Sequence, residues 1–121
     1  MSYDLRLGVK VEGTDIIAVI GEPEYPSPTY NLGEMFRACT GWDFKQGEWY
    51  RVSDVWPMIE NGISELRMHS VKYKHLEPEN GWGTIGSAIK ALESLTECIR
   101  QTVDGDYSWN KIPPDKLWVC W

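Results

Sequence analysis

Alternating apolar and polar positions predict two strands at the start of the chain. Tyr3, Leu5, Leu7, Val9 and Val11 alternate with polar residues or glycine over residues 3–11, a period of two that is typical of a half-buried strand. After a turn at residues 13–15, the continuous apolar run Ile16–Ile20 predicts a second strand, paired with the first as a hairpin. Another apolar run, Leu117–Trp121, predicts a strand near the end of the sequence.

Helical spacing of apolar residues predicts three helices. The first covers Leu32–Cys39 with Asn31 as its N-cap, the second begins with Ser53 as its N-cap, and the third is capped by Thr84 and ends at Asp104-Gly105. The apolar stripes of the second and third helices are Val55, Ile59, Ile63 and Leu66, and Ile85, Ala88, Ile89, Leu92, Leu95, Ile99 and Val103. Pro57 is tolerated in or near the first turn of the second helix, whereas Gly62 weakens that helix by about 1 kcal/mol relative to alanine.

These elements predict an α+β fold. A small antiparallel sheet, built on the N-terminal hairpin, packs against two main amphipathic helices. The length of 121 residues predicts a single domain over residues 1–121, with residues 110–121 as a candidate C-terminal extension. Residues 70–83 are polar and broken by proline and glycine, and they predict irregular structure.

The net charge of the protein limits the classes of molecule that it is expected to bind. A formal net charge of −6 argues against direct binding of nucleic acid, which depends on lysine and arginine. It suits a basic partner, or simply solubility. The three cysteines are far apart, which is typical of a reducing compartment. No signal peptide or membrane-spanning run is visible, so we expect a cytoplasmic protein.

Seven tryptophans in 121 residues favour binding over catalysis, because aromatic side chains dominate hot spots and stack on flat ligands. Tyr30 and Asn31 follow a proline-rich loop, and Asn80 and Trp82 precede the third helix beside flexible glycines. With Trp42, they are the candidate residues of a pocket for a planar polar ligand such as a nucleotide. The alternative is that the two asparagines cap helices while the aromatic rings fill the core.

The apolar end of the sequence offers a second candidate surface. Leu117–Trp121 would be prone to aggregation if it were left free. It either docks on its own sheet or buries against a second subunit or partner, and Trp118 and Trp121 are the candidate interface residues, with a homo-oligomer as one outcome.

No residue pattern predicts a cofactor or a metal. His69, His75 and the cysteines lack the close ligand spacing of zinc sites. Cys39 and Cys98 lie on or near apolar helix faces, where inert cysteines are found. A small enzyme that uses a cysteine or histidine is therefore an alternative and not the main hypothesis.

The order of motifs resembles a family of small proteins of phages, prophages and bacterial genomes. The matching segments are Met1–Leu5, Thr29-Tyr30-Asn31 with Phe36, Pro57–Leu66, Asn80–Gly83, and Asp104-Gly105 with Trp109. The family carries no settled activity, and the resemblance implies only a setting, an accessory role in phage–host conflict.

Together these features predict a small non-enzymatic binding protein. It would engage a host defence protein, or sequester a nucleotide-like ligand, through its aromatic residues. The alternative, besides the small enzyme, is an acidic inhibitor of a nucleic-acid-binding enzyme that works by charge mimicry, whose binding would weaken steeply with salt.

Overall fold

A four-stranded antiparallel sheet and the helices packed on it organise the chain. The computed structural model describes residues 3–20, 28–79, 81, 83–105 and 111–121. Short 3₁₀ turns lie at Tyr30–Leu32, Lys74–Leu76 and Pro114–Lys116. The strands and helices are β1 (Arg6–Lys10), β2 (Ile17–Val19), α1 (Gly33–Thr40), β3 (Trp49–Arg51), α2 (Val52–Met68), α3 (Ser70–Tyr73), α4 (Ile85–Asp104) and β4 (Leu117–Cys120).

The sheet has the order β2-β1-β4-β3, so the last strand in the sequence lies at its centre. In the register, Leu7, Val119 and Tyr50 lie side by side across β1, β4 and β3, and Gly8, Trp118 and Arg51 form the neighbouring row. Successive residues of a strand point to opposite faces. The first row therefore belongs to the face that packs on the helices, and the second row belongs to the outer face.

The predicted α+β class, with a sheet packed on helices, is confirmed. The hairpin of β1 and β2 and the strand near the end of the sequence are confirmed as well. The sequence did not reveal β3, because its three residues are too few to show a period. Nor did it reveal the single turn of α3, Ser70–Tyr73, inside the segment predicted to be irregular.

The ends of the helices test the capping predictions. Thr84 caps α4 by accepting from the Ser87 N–H, and Gly105 ends that helix in the left-handed conformation, as predicted. Asn31 as an N-cap is wrong, because Thr29 caps the preceding 3₁₀ turn and that turn runs directly into α1. Ser53 as an N-cap is also wrong, because α2 begins at Val52, with Arg51 at the cap position two residues before Ser53.

Pro57 lies inside α2, beyond the first turn. A proline there cannot donate to the carbonyl four residues earlier, which belongs to Ser53. The helix continues to Met68 because its apolar stripe is held by the core: Val55, Ile59 and Leu66 are buried.

An aromatic cluster forms one end of the core. Phe44 and Trp121 stack with ring centroids 4.3 Å apart and an interplanar angle of 12°. Trp42 and Tyr3 each present an edge to both of these rings. Such aromatic pairs stabilise a protein by about 0.5–1.5 kcal/mol each beyond the area that they bury.

No helix among residues 3–20, 28–79, 83–105 and 111–121 is both long enough and apolar enough to cross a membrane.

Gly62 marks the place where α2 crosses α1. A Cβ atom at this position would lie 2.6 Å from Cγ2 of Thr40 and 3.2 Å from Sγ of Cys39. The glycine that looked like a weak point of the helix is therefore what allows the two backbones to approach.

We predict that Gly62→Ala destabilises the protein by about 1–3 kcal/mol, the usual cost of overpacking a core, although alanine is the better helix former by about 1 kcal/mol. Denaturant unfolding measures this change in the free energy of unfolding. Gly86→Ala in α4 is the matched control, because its Cβ would meet only Oγ1 of Thr84, at 3.7 Å. We expect that variant to be as stable as the wild type or up to about 1 kcal/mol more stable, and equal losses in both variants would contradict the account.

Candidate anion-binding cleft

The structure brings together two of the segments predicted to form a ligand pocket. A Cβ atom at Gly83 would lie 3.0 Å from Cδ2 of Leu32 and 3.5 Å from Cβ of Asn31. Gly83, two residues before α4, therefore contacts the 3₁₀ turn before α1. Asn31 is exposed and Tyr30 is half-buried. The Tyr30 ring meets the Tyr3 ring at 4.6 Å, edge to face, and its hydroxyl accepts from Nε2 of Gln46. Asn80 and Trp82 lie outside the described residues.

The N–H groups at the start of α4 are partly occupied by the protein itself. Oγ1 of Thr84 accepts from the Ser87 N–H at 3.1 Å, and a carboxylate oxygen of Glu77 accepts from the Ile85 N–H at 3.2 Å. These oxygens already satisfy groups that a bound anion would use, so the start of α4 has less to offer a phosphate-bearing ligand.

Trp42 does not belong to an open pocket. It is 4 % exposed, and its ring is enclosed by Phe44, Tyr50 and Trp121 at centroid distances of 5.1–5.5 Å. Placing Trp42 in a ligand site conflicts with this burial, because a ligand could not reach either face of the ring without opening the core.

Trp121 is likewise a core residue, 2 % exposed. Its carbonyl accepts from the Gly47 N–H at 3.0 Å, and its ring packs on Phe44, Phe36 and Tyr3. The protein's own loop and sheet cover it, so it is not available to the partner for which it was a candidate. Of the two alternatives for this segment, the structure has the strand docked on its own sheet.

Trp118 differs because it lies on the outer face of the sheet, half-buried, between cations from both neighbouring strands. Nζ of Lys10 on β1 is 4.6 Å from the centroid of its ring, and Cζ of Arg51 on β3 is 5.1 Å from it. Both distances are within the range of cation–π attraction, which contributes about 0.5–1 kcal/mol at exposed sites. The indole therefore holds two long, flexible cationic side chains in place.

Gly8 allows the outer face to be filled by large side chains. A Cβ atom at Gly8 would lie 2.5 Å from Cγ2 of Ile17 and 3.2 Å from Cη2 of Trp49. The absent side chain leaves room for Trp49 to lie over β1, beside the row that contains Trp118.

Next to Trp118 is a cleft of about 630 Å³. The turn at residues 111–116, which leads directly into β4, contributes to its lining. Four cationic side chains line the cleft, together with two carboxylates and four apolar residues. The cations are Lys10, Arg51, Lys111 and Lys116, the carboxylates are those of Glu12 and Asp115, and the apolar residues are Val9, Ile112 and Pro113 beside Trp118.

The cations of this cleft differ from most other described cations in having few carboxylate partners. Among the described residues, no carboxylate lies within 4.0 Å of the charged nitrogens of Arg51, Lys111 or Lys116. Lys10 has one such neighbour, the fully exposed Asp15 at 4.0 Å, and an exposed pair of this kind contributes at most about 1 kcal/mol. A chain of net charge −6 thus carries a locally basic concave surface, where opposite charge accumulates.

The acidic side chains of α4, by contrast, each form an ion pair within the protein. Glu93 pairs with Arg67, and both Glu97 and Asp104 pair with Arg100. This helix does not present the free run of negative charge that mimicry of nucleic acid requires.

The cysteines and histidines form no reactive constellation in the part of the chain that the structure describes. Burial raises the pKa of Cys39 to about 12, and burial also raises the pKa of Cys98 and of Cys120, so none offers a thiolate near neutral pH. Nε2 of His69 lies 3.6 Å from a carboxylate oxygen of Glu65 on the same helical surface. No group of three metal-ligating side chains occurs among those residues.

Comparison of the chain with protein-family models, with curated proteins and with solved structures finds no match. The geometry of the cleft is therefore the basis for a functional assignment.

Sequence reasoning named Trp118 as an interface residue but missed the cations around it. One signal was available: Lys10 alternates with the buried residues of β1, so its side chain had to point to the outer face. What the sequence did not show is that β4 lies between β1 and β3, which brings Lys10 and Arg51 to the same ring.

We predict that Trp121→Ala and Trp118→Ala have different effects on the free energy of unfolding. Trp121→Ala should cost about 3–5 kcal/mol, as for a buried large aromatic residue. Trp118→Ala should cost about 1–2 kcal/mol, mainly the lost contacts with the two cations. Denaturant unfolding of the two variants measures the difference. A larger loss of unfolding free energy for Trp118→Ala than for Trp121→Ala would contradict the assignment of Trp121 to the core and of Trp118 to the outer face.

Proposed function

We propose that the protein is a non-enzymatic binding protein that sequesters a nucleotide-like, phosphate-bearing ligand in the cleft beside Trp118. The supporting observation is the group of four cations that line this cleft. Among the described residues, Arg51, Lys111 and Lys116 have no ion-pair partner, and Lys10 has only an exposed one. Phosphate oxygens are strong acceptors for such groups.

The shape and composition of the cleft also support a small ligand. A volume of about 630 Å³ falls within the range of about 300–1,000 Å³ that is usual for ligand pockets. Trp118, Ile112 and Pro113 provide an apolar wall for a planar ring, and the lysines and Arg51 provide charge at its margin. This is the combination of a flat apolar surface and cations that a nucleotide requires.

The setting that the motif resemblance implies is consistent with this proposal. In a conflict between a phage and its host, a protein that withdraws a small nucleotide from a host protein acts stoichiometrically and needs no catalytic group.

We expect adenosine 5′-monophosphate, titrated calorimetrically at pH 7.5 and constant ionic strength, to bind, and Arg51→Gln and Lys116→Ala each to weaken binding about tenfold or more. A charge-assisted hydrogen bond contributes about 1.5–3 kcal/mol, and 1.4 kcal/mol is a factor of about ten in affinity.

Lys90→Ala is the matched control, because it removes the same charge from α4, away from the cleft. We expect it to change the affinity by less than about twofold, as for a distant surface residue. Absence of binding by the wild type, or an equal loss in the Lys90 variant, would refute the proposal.

A further inference from the structure

We infer that the cleft recognises a ligand with two separate anionic groups, one for Lys10 and one for Arg51, and a planar ring that packs on Trp118. This inference rests on the proposed function, and it names the class of ligand. A nucleoside that carries phosphate groups at two positions of its ribose, or a dinucleotide, belongs to this class, whereas a nucleotide with all its phosphates in one chain does not.

The first observation is the placement of the two ordered cations. Lys10 belongs to β1 and Arg51 to β3, and these strands lie on opposite sides of β4 in the sheet. Neighbouring strands are about 4.8 Å apart, so the backbones that carry the two cations are separated by two such spacings. Two separate anionic groups can therefore each approach one of these cations from the side of its own strand.

The second observation is the position of Arg51 at the start of α2. This residue is the N-cap of the helix, and no side chain caps the helix there. The N-terminal end of a helix dipole disfavours a cation and favours an anion. Arg51 is also without a carboxylate within 4.0 Å among the described residues. An anionic group bound to Arg51 would pair with its guanidinium through two parallel hydrogen bonds.

The third observation is the distribution of charge in the cleft. Its lining carries four cations and two carboxylates, and Asp15 lies 4.0 Å from Lys10 outside the lining. Lys111 and Lys116 come from the turn before β4, so positive charge is present on that wall as well as beside the indole. The cleft therefore offers cations at more than one place for an anionic group.

The fourth observation is the apolar surface beside the cations. The ring of Trp118 is close to both Lys10 and Arg51, and Ile112 and Pro113 add to the apolar lining of the cleft. An uncharged, flat ring of the ligand should therefore pack on this surface, while the two anionic groups reach the two cations.

The test compares two probes that carry the same number of phosphate groups on the same nucleoside. Adenosine 3′,5′-bisphosphate has its two phosphate groups on opposite sides of the ribose, and adenosine 5′-diphosphate has both in one chain. Calorimetric titrations are run at pH 7.5 and fixed ionic strength, because charge interactions are screened by salt. We expect the 3′,5′-bisphosphate to bind at least about tenfold more tightly than the 5′-diphosphate.

The variants identify the cause of this preference. Lys10→Gln and Arg51→Gln should each reduce it to less than about threefold, while Lys90→Ala should retain it, and thermal unfolding verifies that each variant is folded. Since each cation is tested separately, a variant that fails to fold leaves the other as the test. Equal affinity of the wild type for both probes, or a preference that survives both glutamine substitutions, would overturn the inference.

The failure of this inference can be distinguished from failure of the proposed function. If both probes bind with equal affinity, and Arg51→Gln weakens both, the cleft binds phosphate but does not recognise two separate groups. If neither probe nor adenosine 5′-monophosphate binds the wild type, the proposed function is overturned together with the inference.

Discussion

The stack of Phe44 on Trp121 is the contact on which the rest of the structure depends. It joins the loop between α1 and β3 to the strand at the end of the sequence, with ring centroids 4.3 Å apart. The hydrogen bond from the Gly47 N–H to the Trp121 carbonyl fixes the same junction through the backbone. Arg37 lies 4.2 Å from the centroid of the Phe44 ring and donates to its carbonyl, which adds α1 to the cluster. A buried aromatic residue of this size contributes several kcal/mol.

The central position of β4 determines which side chains meet on the outer face of the sheet. β4 lies between β1 and β3, and Trp121, directly after it, is buried in the core. The alternation of side chains then directs Trp118 to the opposite face. Lys10 and Arg51 then come from either side to the same indole ring. The cleft is thus a consequence of the central position of one strand, and residues 117–120 are integral to the sheet and do not form an appendage.

Local signals in the sequence predicted local structure, and they predicted little that depends on topology. Thr84 and Gly105 were assigned correctly because capping depends on groups a few residues away. Trp49–Arg51 is a strand only because it pairs with β4, which no local pattern reveals. Composition could not separate tryptophans of the core from those of a surface, and the neighbours of Trp118 meet only once the strand order is known. For this reason the ligand pocket predicted from the sequence included Trp42, which lies in the core.

The most direct test of the central claim is an amide NMR titration of the isotopically labelled protein with adenosine 5′-monophosphate. If the outer-face cleft binds phosphate, the largest shifts will occur at Gly8, Lys10, Arg51 and Lys116, and at the indole N–H of Trp118, with little change at Asn31 and Gly83. If the largest shifts occur at Asn31 and Gly83, with none at Gly8, Trp118 and Arg51, the account is contradicted and the binding site lies beside the start of α4.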